Sequence, residues 1–232
     1  MITFKLGTMG RMGNAMFQIA ACVAHAERVR DVAIFPRWPY AKYFKYPITQ
    51  GRLSYSSLFV EKEFIFSKLP ESRNMCLHGY FQSEKYFKEC PKIKEIFQPC
   101  SFLDKKTAMD YSRTCSIHVR RGDYVQLSNY HLLLDIEYYL TAMDMMDCRF
   151  LLFSDDINWC KQNFGGVEFY HEDQMMDFFT MMKCENHIIA NSSFSWWAAW
   201  LGGGTVIAPQ KWFGEDCKHD TKDLLPESWI KI

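Results

Sequence analysis

Ser116-Ile117-His118-Val119-Arg120-Arg121-Gly122-Asp123-Tyr124 sets a histidine, two adjacent arginines and an aspartate directly behind a short β-type run. Read as a strand that ends in a cationic turn, it predicts an anion site at the strand's carboxyl end. Arginine suits a diphosphate, because its planar fork keeps its charge and donates two parallel hydrogen bonds to phosphate oxygens. A surface salt bridge is the competing reading of the arginine pair taken alone.

Outward from this stretch, short apolar strands alternate with helical patterns, the rhythm of an α/β protein with parallel sheets. Residues 114–119 read as a strand, 136–146 as a helix, and 149–153 as a strand closing at Asp155-Asp156. Asp156 stands where the N-cap of a helix through Trp159 and Phe164 belongs. Residues 173–183 are helical, 187–190 a buried strand, and Ser192 or Ser193 caps a helix running through Trp200; 205–208 is the last clear strand. Trp196 and Trp197 are expected to pack that helix against the sheet. Toward the N-terminus, 2–6 reads as a strand, 7–13 as a turn, and 14–30 as a helix with Met16, Ile19, Ala20, Val23 and Ala24 on one face. Residues 32–35 form the next strand and 75–78 another. Residues 36–73 are aromatic and irregular, which suits a sugar-binding wall or a packed structural loop alike. Residues 91–110 connect the two halves. Ligands of open α/β sheets bind beyond the carboxyl ends of the strands, where every motif here falls.

The chain has 232 residues, enough for two Rossmann-like halves of roughly 100 to 120 residues each. Lys plus Arg equals Asp plus Glu at 27 each, and this zero balance argues against nucleic acid as a partner. No apolar run approaches the length that crosses a bilayer, and Ile2-Thr3-Phe4-Lys5-Leu6 begins a strand without a charged and apolar leader. A soluble, cytoplasmic protein is expected, with peripheral contact to a membrane left open. The nine cysteines are scattered, with no C-x-x-C pair, so neither a disulfide framework nor a zinc site is indicated. The thirteen methionines read as core filler.

Two further segments bear on chemistry. Asn191-Ser192-Ser193-Phe194-Ser195 opens a helix, where free backbone N–H groups, hydroxyls and the positive end of the helix dipole can cradle a phosphate. An ordinary serine N-cap has the same sequence. Gly7-Thr8-Met9-Gly10-Arg11-Met12-Gly13, between a strand and a helix, also has the look of a dinucleotide-binding turn. An NAD site wants an acid at the end of the second strand, where this chain has Phe35-Pro36-Arg37; Asp31 precedes that strand. Arg37 facing an NADP phosphate keeps an NADP-dependent oxidoreductase as an alternative.

His118-x-Arg120-Arg121-x-Asp123-Tyr124 resembles the signature of the α-1,2-fucosyltransferases, glycosyltransferase family 11, and more broadly of the inverting α-1,2, α-1,6 and protein O-fucosyltransferases. Gly10-Arg11-Met12-Gly13-Asn14-Ala15-Met16-Phe17-Gln18, Gly79-Tyr80-Phe81-Gln82-Ser83, Phe153-Ser154-Asp155-Asp156 and His187 to Trp197 follow in that family's order. The chain is shorter than the family pattern, and Ala15 stands where glutamine is common.

The resemblance implies a GT-B-like α/β fold, two Rossmann-like halves facing each other across a cleft. Residues 1–110 would form the acceptor side and 111–232 the GDP-sugar side. It implies inverting transfer of L-fucose from GDP-β-L-fucose to a glycan hydroxyl, the 2-OH of a galactoside, forming an α-1,2 linkage. Arg120 would bind the β-phosphate and stabilise departing GDP. Asp123 would orient Arg120 or Arg121, touch the acceptor, or act as general base. Arg11, Gly13 and Asn14 would reach the diphosphate or sugar from the other half, and Arg121 and residues 191–195 would join them. His118 and Asp177 would address the nucleoside, an aspartate being able to accept from guanine N1–H and the exocyclic amine together. Asp177 could equally be a first-turn helix residue, and Asp155 could line the cleft or cap the next helix. No cofactor and no metal are expected, since arginines can neutralise the diphosphate. A glycan-binding relative without catalysis is the third reading.

Overall fold

β1 (Ile2–Phe4) is a fully buried strand of three residues, and it pairs in parallel with β3 (Met75–His78) in register Ile2 to Met75 and Phe4 to Leu77. On the other side of β3 lies β2 (Ser57–Val60), also parallel, so the first sheet has the order β1-β3-β2. A computed structural model describes residues 1–232 and shows the chain folded as two units. Met1–Phe102 with His219–Pro226 form the first, and Leu103–Lys218 with Glu227–Ile232 the second.

α1 (Met12–Val29) follows β1 and is buried on all sides rather than along one stripe: from Met12 to Ala26 only Asn14 retains partial exposure. It lies against β1, a 3₁₀ turn at Glu84–Tyr86 and α2 (Lys92–Ile96), with Phe17 against Phe87 at 6.0 Å. The strand expected at 32–35 is reduced to isolated bridges, Ile2 with Ala33 and Phe35 with Gln50, because Asp31 and Pro36 close it at both ends.

The expected boundary at residue 110 falls instead at Phe102/Leu103. α3 (Ser101–Lys106) buries Leu103, and within the second unit Asp104 pairs with Lys183 at 2.7 Å. Residues 219–226 return to the first unit, where Asp223 accepts from the Phe66 backbone N–H at 3.0 Å and pairs with Lys85 at 2.6 Å.

In the second unit, β4 (Thr114–Val119) is buried at every position and occupies the middle of a six-stranded all-parallel sheet. β5 (Arg149–Ser154) and β6 (Glu168–Phe169) lie to one side. β7 (Asn186–Ile188), β8 (Val206–Ala208) and β9 (Ile230–Lys231) lie to the other. The connecting helices are α4 (Ile136–Asp144), α5 (Ile157–Asn163), α6 (Gln174–Lys183) and α7 (Ser193–Gly202). Cys115, Ile117 and Val119 of β4 meet Tyr139 and Ala142 of α4, Leu152 of β5 and Cys160 of α5 in one apolar core. β4 alternates polar and apolar residues yet is buried on both faces, its polar side bonded internally through Ser116 to His187 at 2.8 Å and His118 to Ser195 at 2.9 Å. Trp196 and Trp197 are fully buried, as packing residues of α7. No helix is long and apolar enough to cross a membrane.

Candidate active site

The loop that leaves β4 carries the cationic cluster, and its counter-charges come from Asp123 of the same loop and from Asp155 and Asp156, just beyond β5. Arg120 is gripped from two directions: one nitrogen of its fork pairs with Asp123, the other with Asp155 at 2.7 Å, and the guanidinium lies over the Tyr124 ring at 5.3 Å. Asp155 also accepts from the Arg121 backbone N–H at 2.9 Å. Asp155 therefore does not cap α5. Asp156 does, accepting from the Trp159 N–H at 3.2 Å. Arg121 turns the other way, with Nε on Asp156 at 3.3 Å and its fork stacked on the Trp159 ring at 3.8 Å. The adjacent arginines thus divide between a partly exposed cation and a staple onto α5.

Behind this loop, burial changes the character of two signature residues. His118 is 6 % exposed, shares a 2.9 Å hydrogen bond with Ser195 Oγ, and is pushed down to about 3 by burial and by Arg120, so its ring is neutral. Ser195, 1 % exposed, is committed inward as well. Asn191 is equally internal: its side-chain amide donates to Leu132 O at 2.8 Å and Trp212 O at 2.7 Å, while its backbone carbonyl accepts from Tyr124 Oη at 3.1 Å. These three were expected as donor contacts; the structure buries all three and engages them with partners inside the second unit. Ser192, Ser193 and Phe194 stay partly exposed at the start of α7, Ser192 being the N-cap that accepts from the Phe194 N–H at 3.4 Å.

Asp177 sits in the first turn of α6, where it accepts from the Glu172 N–H at 3.0 Å. Burial raises it to about 6, against that hydrogen bond and the charge of His171. Tyr124 and His131 were not singled out in the sequence. Their rings stack at 4.3 Å, with His131 lowered by burial and bridged to Phe213. The D-Y ending of the signature was the available signal for Tyr124; nothing local marks His131.

In the first unit, Arg11 is the N-cap residue of α1, Gly13 is buried in its first turn, and Asn14 Oδ1 accepts from Gln82 Nε2 at 2.8 Å. The dinucleotide reading loses its second strand here. Asp31 is spent on the backbone N–H groups of Val32 at 2.8 Å and Asn74 at 3.0 Å.

The model of glycosyl transferase family 11 matches residues 52–232. The chain is 34% identical over 229 residues to an alpha-1,2-colitosyltransferase of Escherichia coli, covering 88% of this chain and 77% of that protein. It is 31% identical over 193 residues to the O-antigen biosynthesis glycosyltransferase WbnK of Escherichia coli, covering 71% and 63%. A galactoside alpha-(1,2)-fucosyltransferase 1 of Bos taurus is 34% identical over 107 residues, which cover 39% of this chain and 30% of that protein. Among solved structures, NodZ alpha-1,6-fucosyltransferase from Bradyrhizobium superposes with a TM-score of 0.54 at 12% identity, covering 86% of this chain and 92% of that one. That likeness concerns the fold, the α/β, GT-B-like arrangement.

Proposed function

The chain belongs to glycosyltransferase family 11, and from that premise we propose that it moves L-fucose from GDP-β-L-fucose to the 2-OH of a galactoside, with inversion, forming an α-1,2 linkage. The observation that carries this reading is Arg120, a cation held at the carboxyl end of β4 between Asp123 and Asp155. The chemistry needs charge placed where the leaving diphosphate gains it, and a preorganised guanidinium supplies that. Ser192, Ser193 and Phe194 at the start of α7 add backbone N–H donors and the helix dipole. Arg121 braces the loop through α5. His118, Asn191 and Ser195 hold the cradle in shape from beneath.

Arg11, Gly13 and Asn14 contribute the contacts of the first unit, which serves the acceptor side; the second unit binds the donor. Asp177 accepts from guanine as its ionised form. Asp123 is the general base: when the diphosphate takes over the Arg120 nitrogen now on Asp123, that carboxylate is released toward the acceptor hydroxyl. The transfer runs without a metal, Asp155 and Asp156 being engaged by arginines and by the N-terminus of α5. The galactoside acceptor is supported by the bovine relative's name, and a second donor by the first relative's, since colitose is fucose without its 3-hydroxyl.

The test is calorimetric titration with GDP, UDP and NADPH in chelator, followed by transfer assays with GDP-fucose and GDP-colitose on galactosides. GDP alone should bind, and Arg120→Ala should weaken it at least ~10-fold, the loss of one charge-assisted contact. NADPH binding without GDP, or activity restored only by manganese, would sink the reading.

A further inference from the structure

The sequence Gly79-Tyr80-Phe81-Gln82-Ser83 has no role in the transfer as derived so far, yet its backbone is held in an uncommon conformation. Phe81, fully buried, holds φ at +53°, a left-handed conformation that a bulky residue seldom adopts. The carboxylate of Glu61, one residue beyond β2, holds it there. It accepts from the Tyr80 N–H at 2.7 Å, the Phe81 N–H at 3.0 Å and Tyr86 Oη at 3.4 Å. What the strained turn presents is Gln82, whose amide donates to Asn14 Oδ1 at 2.8 Å.

Asn14 is the one residue of α1 between Met12 and Ala26 that is not buried. Because Gln82 occupies its carbonyl, the group it can offer outward is the amide N–H pair. That amide lies on Gly10, where a side chain of any kind would occupy the same space. A donor pair so fixed suits a phosphate oxygen or a sugar hydroxyl and rejects a donor.

We infer that Gln82 is a positioning residue: anchored by Glu61, it sets the Asn14 amide with its N–H groups toward the sugar nucleotide. The inference rests on the fucosyltransferase reading and deepens it by assigning work to a turn that reading leaves idle.

A double-mutant cycle on the full chain tests it, with kcat and KM for GDP-fucose measured for wild type, Asn14→Ala, Gln82→Ala and the double variant, each checked by thermal unfolding. Each single change should lower kcat/KM by about 10-fold, and the double should fall within about 2-fold of the worse single, since residues acting as one unit are not additive. Gln82→Glu keeps the length but accepts instead of donating, so it turns the Asn14 amide over and should cost at least as much as Gln82→Ala with an unchanged unfolding midpoint. Additive losses, or full activity in both Gln82 variants, overturn the positioning role. A wild-type chain that transfers neither fucose nor colitose overturns the functional reading, and this role with it.

Discussion

Asp177 ties a titration to both stability and binding. Its carboxyl stands at about 6 in the fold, above the ordinary value of 3.8, with burial the leading cause. A raised carboxylate means that the native state holds the proton more tightly than the unfolded chain does. This group's contribution is therefore favourable at low pH and is lost as pH rises from about 4 through 6. Asp177→Asn keeps an oxygen for the Glu172 N–H and removes the charge. Its unfolding midpoint should rise at pH 7.5 and stay level at pH 4, while GDP affinity falls because an amide cannot accept from both guanine donors. A variant that binds GDP normally would return Asp177 to the role of a loop brace. From sequence, Asp177 was marked only by the family resemblance.

At the scale of elements, the turn after β4 is shaped by β5. A Cβ on Gly122 would fall on Asp155, the carboxylate that holds both Arg120 and the Arg121 N–H. Gly122→Ala should lower stability by about 1–3 kcal/mol, the cost of overpacking a tight site. It should also weaken GDP binding, as read by denaturant unfolding and titration; unchanged affinity would detach Asp155 from the site. Strands and caps of the second unit were legible because their cues are local: β4 appears at 114–119 as read, and Asp156 caps α5 as its position suggests. β2 was passed over as irregular, since Leu58 and Val60 are exposed and its pattern carries no apolar alternation. β6 and β9, two residues each, are too short to show any period. The clamp of Asn191 on Leu132 and Trp212 joins residues 59 and 21 positions away, and single-sequence reading has no purchase on it.

For the whole molecule, the nine cysteines make an accessible probe. Cys22, Cys76, Cys115, Cys160 and Cys184 are buried, and Cys90, Cys100, Cys148 and Cys217 are partly exposed. Burial pushes Cys160 up to about 11 and Cys184 up to about 12, where thiolate is scarce at neutral pH. An aromatic disulfide reagent should label no more than the four partly exposed thiols in the native protein and all nine in guanidinium. Rapid labelling of all nine in buffer would contradict the packing described. All nine are free in the structure.

The return of residues 219–226 to the first unit bears on how the protein is made. Neither unit is a contiguous piece of chain, and β9, the edge of the larger sheet, follows the returning segment. During synthesis from the N-terminus, the first unit waits for Asp223 and the second for Ile230 until residues 219–232 have emerged from the ribosome. Both halves of the enzyme are therefore completed by the same short stretch of translation.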